Sequence, residues 1–461
     1  MEKYKNFSFE DLIVLDMANN HQGDLGHGIN IINELSKKVN KFNLKVGIKF
    51  QFRQLDSFIH PNHKKNSNAK HISRFLETEL KIQEYEAMLK EVKKNNFLSI
   101  CTPFDEKSVE IIDDMNFDLI KIASCSANDW PLIEKISEFD RPVICSTGGL
   151  TLSQIDDIHS YFKHKNMNFA LMHCVSIYPT PLKNLQLNQI DLLKSRYPDI
   201  TIGWSTHEDQ DELSPVQIAF GKGARMFERH VGLETNEIKL NKYSSNPLQV
   251  ENWFNAIIRS KEICGDVVSR PETTLEEKKA IESLQRGVYS KKNLKKGEFL
   301  NANSIYFAMP NEEGQLKSSE FKNGIKLEAD LKKDGAIFLQ SLKMPLISKE
   351  MILKKAIHEV KAMLAESKII LNSEFEVEYS HHYGIENFRD IGVVIINVIN
   401  REYCKKILVQ LPNQKHPSHH HKMKEETFQI LSGTLNAVID GKKRTLFPGD
   451  ISLVMPGVWH S

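Results

Sequence analysis

The sequence predicts an α/β protein: a closed (β/α)8 barrel of the TIM type, followed by a small β-rich domain and a C-terminal β-barrel domain. Three observations carry that expectation. Short apolar runs rich in Val and Ile recur between residues 12 and 231, each followed by a longer amphipathic stretch, the signature of parallel strands buried on both faces and alternating with helices. Each run also ends in polar or charged residues, where the active-site groups of such a barrel must stand. Beyond about residue 280 the pattern changes to short strands broken by turn residues.

In chain order the runs are Leu12–Ala18, carrying Asp16 with Asn19, Asn20 and His21 beyond it; Val46–Phe52, with Lys49 and Gln51; and Phe97–Phe104, with Thr102. Leu119–Cys125 brings Lys121 and Ser124, Arg141–Thr147 brings Ser146, and Asn168–Val175 brings His173, with Ser176 and Tyr178 following. Asp199–Thr206 ends in Ser205 and His207, and Ala224–Val231 carries Glu228 and His230. A helix near Asn252–Ile263 follows, then a charged, turn-rich linker at Arg270–Lys279. Gln285 to about Leu342 reads as a compact β-rich unit, Met351–Ser367 as a helical connector, and the rest as antiparallel strands with turns at Asp440-Gly441 and Pro448-Gly449. The expected domains are residues 1–265, 280–345 and 370–461.

With 61 basic and 60 acidic residues interspersed along 461, no basic stripe points to nucleic acid or a membrane surface. Met1–Glu10 is charged, and no run approaches the ~18 apolar residues of a spanning helix. The six cysteines, at 101, 125, 145, 174, 264 and 404, form no CxxC or paired spacing, which suits a reducing compartment. A cytoplasmic protein acting on small molecules is expected.

Lysines at 49 and 121 would be costly inside a packed barrel unless they meet an anion. Phosphate and carboxylate are the usual guests, and the hydroxyls of Thr102, Ser124, Ser146, Ser176 and Ser205 stand near the same strand ends to complete such a site. The structural alternative is lysines snorkelling to the rim. His207 and His230 end the last two strands, adjacent in a closed barrel, so they either converge on one cation with open coordination positions or are satisfied polar core residues.

The strings Asn20-His21-Gln22-Gly23, Ile48-Lys49-Phe50-Gln51, Cys101-Thr102-Pro103-Phe104, Ile120-Lys121-Ile122-Ala123-Ser124, Ser146-Thr147-Gly148-Gly149, His173 to Pro181, Ile202 to His207 and Phe227-Glu228-Arg229-His230 resemble, in order, the motifs of sialic acid synthases. The likeness spans roughly residues 10–260. Arg286-Gly287-Val288-Tyr289 and Leu294 to Glu298 further resemble the antifreeze-like (SAF) domain that follows this barrel. The resemblance implies condensation of phosphoenolpyruvate with an acylamino sugar to a nonulosonic acid. Lys49, Thr102, Lys121, Ser124, Ser146 and Ser205 would hold phosphoenolpyruvate, and His207 and His230 would bind Mn2+ or Mg2+. Asp16, where the family usually has Glu, would handle water at C2, with Gln51 and Tyr178 as sugar or rim contacts and a homodimer as the expected assembly. The sequence departs from the pattern on the acceptor side. Ile238–Pro247 lacks the family's Gly-Pro-Asp, Met309 falls at or near an expected Arg, and Ser126 replaces an expected Glu. This leaves the acceptor open between N-acetylmannosamine and a differently acylated or deoxygenated relative.

Near the C-terminus, His419-x-His421 on one strand would point two imidazoles the same way. Glu426, with Glu425 as a substitute, Gly433, Gly449 and His460 continue a pattern that resembles a cupin, whose residues hold one metal in a small β-barrel. The alternative is a histidine-rich surface loop. The chain is expected to continue past Ser461, because a cupin normally carries further strand after its last histidine. Two other functions compete with the synthase: a cupin-type sugar isomerase or epimerase with an inert barrel, and a non-catalytic sugar-binding module.

Overall fold

A computed structural model of the protein describes residues 6–64, 71–265, 270–371 and 375–461. The expected N-terminal domain therefore begins in residues outside the described ones. Strands β1 (Leu12–Asp16), β2 (Lys45–Phe52), β3 (Leu98–Pro103), β4 (Leu119–Ile122), β5 (Val143–Ser146), β6 (Phe169–Cys174), β7 (Ile202–Thr206) and β8 (Met226–Val231) pair parallel in sequence order, and β1 also pairs with β8. The sheet closes. Each strand is followed by a helix, the last being α1 (Pro247–Cys264), whose Asn246 cap accepts from the amides of Leu248 and Gln249.

Period two along the strands builds the barrel in layers. Leu12 and Val14, Ile100, Leu119, Ile144, Ala170, Met172 and Met226 form an apolar plug inside the barrel. Their neighbours in sequence, among them Ile13, Leu15, Ile120, Leu171 and Phe227, face the surrounding helices. One step further along each strand, the inward positions become Asp16, Lys49, Thr102, Lys121, Ser146, Ser205 and Glu228, all buried. The register sets Asp16 opposite both Lys49 and His230, and Ser205 opposite Glu228. The polar layer is thus the continuation of the strand pattern above an apolar floor.

The chain divides into two compact units, Met1–Pro271 and Glu272–Ser461. The linker expected over Arg270–Lys279 is partly helical: Thr274 caps a helix, α2 (Leu275–Leu284), with acidic residues in its first turn that suit the helix dipole. In the second unit, β9 (Gly287–Ser290) pairs with β10 (Ile305–Ala308), and β11 (Lys326–Leu327) with β12 (Leu342–Lys343), around a small apolar cluster that includes Val288, Leu300, Leu316 and Ile337. The helix α3 (Lys349–Glu366) is more than a connector. Its Ala356 and Val360 join Ile385, Phe388, Val394 and Ile396 in one cluster under the three-stranded sheet β13 (Glu376–Ser380), β14 (Val393–Asn400) and β15 (Cys404–Val409). Two further antiparallel pairs complete the unit: β16 (Glu426–Gln429) with β19 (Ile451–Val454), and β17 (Leu435–Ile439) with β18 (Lys442–Leu446). Among the described residues no helix is long and apolar enough to cross a membrane.

Candidate active site and candidate metal centre

The barrel mouth is organised by a residue to which sequence reasoning gave no role, Glu228. Its Oε1 lies 3.0 Å from Lys49 Nζ and accepts from Ser205 Oγ at 3.1 Å, while Oε2 is 3.4 Å from Lys121 Nζ. Lys49 also meets Asp16 Oδ2 at 3.0 Å, and Lys121 donates to Ser146 Oγ at 2.6 Å. The result is a buried lattice of two ammonium groups and two carboxylates. Burial works against the Glu228 carboxylate, but Lys121 and Lys49 hold its pKa well below the usual value. Burial likewise opposes charge on Lys49, and Asp16 and Glu228 outweigh it and raise its pKa. Alternation offered the signal for Glu228: it stands two residues before His230, on the same inward face.

Thr102 is buried, and its hydroxyl has no hydrogen-bond partner. Ser124 sits beyond β4 on a short 3-10 turn, Ser124–Ser126, and its Oγ accepts from the Gly148 amide at 3.2 Å. A Cβ at Gly148 would meet Ser124 Oγ and Ser176 Oγ at 2.7 Å each, so only glycine lets the two hydroxyls and that amide close into one small cradle.

The two barrel histidines are neighbours, with ring centroids 5.2 Å apart. His207 Nδ1 is 3.0 Å from the Val175 carbonyl and His230 Nδ1 is 3.4 Å from Asp16 Oδ2. Each Nδ1 has an acceptor, so Nε2 is the nitrogen through which each ring would take a cation. Burial pulls the pKa of His230 down to about 4, against the pull of Asp16, so it is neutral at pH 7 as a ligand must be. At His207, burial is outweighed by contact with Cys174, raising the imidazole pKa and lowering that of the thiol. Tyr178, half exposed, packs 4.3 Å from the His207 ring, and Tyr243 lies 5.3 Å from Tyr178 and 5.4 Å from His230. Tyr243 went unnoticed because it lies in the irregular segment Ile238–Pro247, where no periodicity aims a side chain. Gln51 reaches down to Asp16 Oδ2 at 3.4 Å and accepts from Arg53 Nη2 at 2.9 Å.

In the second unit His419, His421, Glu426 and His460 come together, one ligand atom from each lying within 4.8 Å of the others. Glu425 is not in this group. The pair His419 and His421 does not lie on a regular strand as expected: only His419 is bridged, to His460, in an otherwise irregular stretch. Glu426 opens β16 and stands 3.3 Å from His421 Nε2 and 3.4 Å from His460 Nε2. Nδ1 of His419 faces the Pro417 carbonyl at 3.1 Å and that of His460 the Val458 carbonyl at 3.2 Å, again leaving Nε2 available. Residues 459–461 pair with Val438 and Asp440, which holds His460 in place.

A closed parallel barrel with a charged C-terminal mouth, joined to a cupin with a four-ligand cluster, defines the class. Residues 45–269 match the NeuB family model and residues 407–461 the cupin domain model. An uncharacterised protein of Methanocaldococcus jannaschii is 30% identical over 74% of this chain and 97% of its own. The N,N'-diacetyllegionaminic acid synthase of Campylobacter jejuni is 26% identical over 68% of this chain and 91% of its own. A solved structure from Chromobacterium violaceum, described as a candidate spore coat polysaccharide biosynthesis protein E, is 38% identical, superposes with a TM-score of 0.71 and covers 73% of this chain and all of its own. The chain belongs to the NeuB family, with a cupin domain at its C-terminal end.

Proposed function

We propose that the barrel condenses phosphoenolpyruvate with an acylamino sugar, giving a nonulosonic acid and phosphate. The observation that carries the reading is the Lys49–Glu228–Lys121 lattice with Asp16 beneath the two histidines. Two buried lysines held side by side by one carboxylate form a preorganised site for a small polyanion. Lys49 and Lys121 would take the carboxylate and phosphate oxygens, with hydroxyls from Ser146, Ser205 and the partnerless Thr102. The Ser124–Gly148–Ser176 cradle offers further donors. The named synthase relative supports a reaction of this type.

His207 and His230 fit a divalent cation, Mn2+ or Mg2+, through their Nε2 atoms. When bound, it supplies Lewis-acid polarisation of the acceptor's aldehyde oxygen. C3 of phosphoenolpyruvate then forms the new bond to the aldehyde carbon, the carbonyl oxygen gains a proton, water adds at C2, and the C2–O bond to phosphate breaks. Asp16 holds Lys49, His230 and Gln51 in one hand, and is the group placed to orient the water or take its proton. The His419, His421, Glu426 and His460 cluster is proposed as a second metal centre, and the unit around β9 to β12 as the antifreeze-like domain. Phosphate release from phosphoenolpyruvate with manganese, across a panel of acylamino hexoses, tests the reading. Release that requires one acceptor supports it, and none across the panel refutes it.

A further inference from the structure

Just beyond β2, Arg53 occupies an unusual position. Its guanidinium packs over two rings, with Cζ 3.7 Å from the centroid of Phe104 and 4.1 Å from that of Phe75. One edge nitrogen, Nη2, donates to Gln51, whereas the buried Nε has no hydrogen-bond partner. Burial lowers its pKa to about 10, so it keeps its charge at neutral pH. Among the described residues no carboxylate pairs with it directly, and Asp16 acts on it only at a distance. Burying a cation that no carboxylate touches is costly, and stacking on aromatic rings offsets only part of that cost.

Arg53 lines a cavity of about 300 Å3 together with Asn19, Gln51, Gln54, Phe75 and Thr78, a volume at the small end for a ligand pocket. Of the acids lining the cavity, Asp56 pairs with Lys64 at 2.8 Å, and Glu79 and Lys81 both stand in the wall. Arg53 is the lining cation that is stacked on aromatic rings. Gln51 spans from Asp16, at the reacting end, to Arg53, four residues past Lys49 on the way out of the barrel. An acceptor with its aldehyde over the lysine lattice would lay its far end along Gln51 towards this guanidinium.

We propose that Arg53 is a specificity-determining residue of the barrel, whose guanidinium edge binds an anionic group, phosphate or carboxylate, at the end of the acceptor sugar remote from the aldehyde. This rests on the synthase reading for what the sugar does, and on Arg53 alone for what it binds. The guanidinium is a planar, directional donor to an oxyanion, which a lysine would not reproduce.

The test is calorimetric binding of three probes to the full chain: a neutral 2-acylaminohexose, its 6-phosphate and the corresponding 6-carboxylate, with inorganic phosphate as the sugar-free control. The wild-type chain is expected to favour a charged probe over the neutral one. Arg53→Gln should lose on the order of 10- to 100-fold for that probe and leave the neutral one unchanged, with Arg53→Lys intermediate. Near-UV circular dichroism and Tm report whether each variant is folded, and Arg53→Lys carries the comparison if Arg53→Gln is not. Whichever of the 6-phosphate and 6-carboxylate binds tighter identifies the anion. In turnover, the same substitution should raise KM for the charged acceptor and leave KM for phosphoenolpyruvate alone. Equal binding of charged and neutral probes, indifference to Arg53→Gln, or tighter binding of inorganic phosphate than of every sugar would overturn the assignment. Arg53-dependent binding without phosphate release from any acceptor would instead overturn the synthase reading and leave the anion site standing.

Discussion

The barrel mouth and the cupin cluster both gather imidazoles and carboxylates, yet they balance charge in opposite ways. At the barrel mouth, Asp16, Lys49, Lys121 and Glu228 each already have a partner of opposite sign, supplied by an adjoining or facing strand. In the cupin, three imidazoles gather round one carboxylate, Glu426, which also pairs with Lys424, on half-buried, largely irregular chain. The first arrangement is complete before any ligand arrives and must exchange partners to bind an anion. The second brings three imidazoles and a carboxylate within 4.8 Å of one another, and a cation would draw their lone pairs together directly. Preorganisation of the barrel should therefore appear as stability, and that of the cupin as metal affinity.

Lys121→Ala should produce the largest effect. It leaves Glu228 with one ammonium partner and removes the donor to Ser146, which should cost about 3–5 kcal/mol in the stability of the barrel unit. On the proposed function it should also lower turnover of phosphoenolpyruvate by on the order of 10^2–10^3-fold. A thermal scan and a phosphate-release assay read the two losses, and a variant with wild-type Tm and turnover would show that the lattice does neither job.

Changing His207 and His230 together to Ala should abolish the response of phosphate release to added manganese. Persistence of that response would move the catalytic ion elsewhere, with the cupin as first suspect. His460→Ala sharpens the contrast from the other side. Metal analysis of the purified chain should show the cupin's ion lost, weakening binding by roughly 10- to 100-fold or more, while barrel turnover stays unchanged. A parallel fall in turnover would mean that the two centres are not independent.

The legible and illegible parts divide along the same line. The barrel could be read because eight short apolar runs, alternating with helical stretches, have few other solutions, and because the residues ending those runs are forced to one rim. Lys49, Lys121, Ser146, Ser205, His207 and His230 all stand there for that reason. Glu228 was visible as a strand-end residue, but its partnership with both lysines depends on register across three strands, which no single strand encodes. Arg53 and Tyr243 lie in loops, where side-chain direction follows from packing rather than spacing. In the second unit the four cupin ligands were recognisable by spacing, although the strand expected to align His419 with His421 is absent; their backbone partners and the bridge to His460 orient them instead. The helix α3 is legible as a helix, but its apolar face is narrow and its partners lie up to some fifty residues downstream, so its place in a core is not.

A smaller effect concerns pH. Burial, followed by Arg74 and His27, lowers the pKa of His21 from 6.5 to about 4, and its Nδ1 accepts from the Gly23 amide at 3.1 Å. The folded chain therefore binds this proton less readily than the unfolded chain does. Its contribution to stability is present above pH 6.5 and lost as pH falls towards 4, by about 1–3 kcal/mol. Denaturant unfolding of wild type and His21→Asn across that range should show a shallower slope in the variant, and identical slopes would assign the acid sensitivity to other groups.

The most direct test of the central claim follows the carbons of phosphoenolpyruvate. With uniformly 13C-labelled phosphoenolpyruvate, manganese and an acceptor sugar that supports phosphate release, mass spectrometry should find all three labelled carbons in one acidic sugar that also contains the whole acceptor. Labelled pyruvate appearing with phosphate while the acceptor stays unlabelled would contradict the account, because the lattice would then be cleaving phosphoenolpyruvate without forming the carbon–carbon bond.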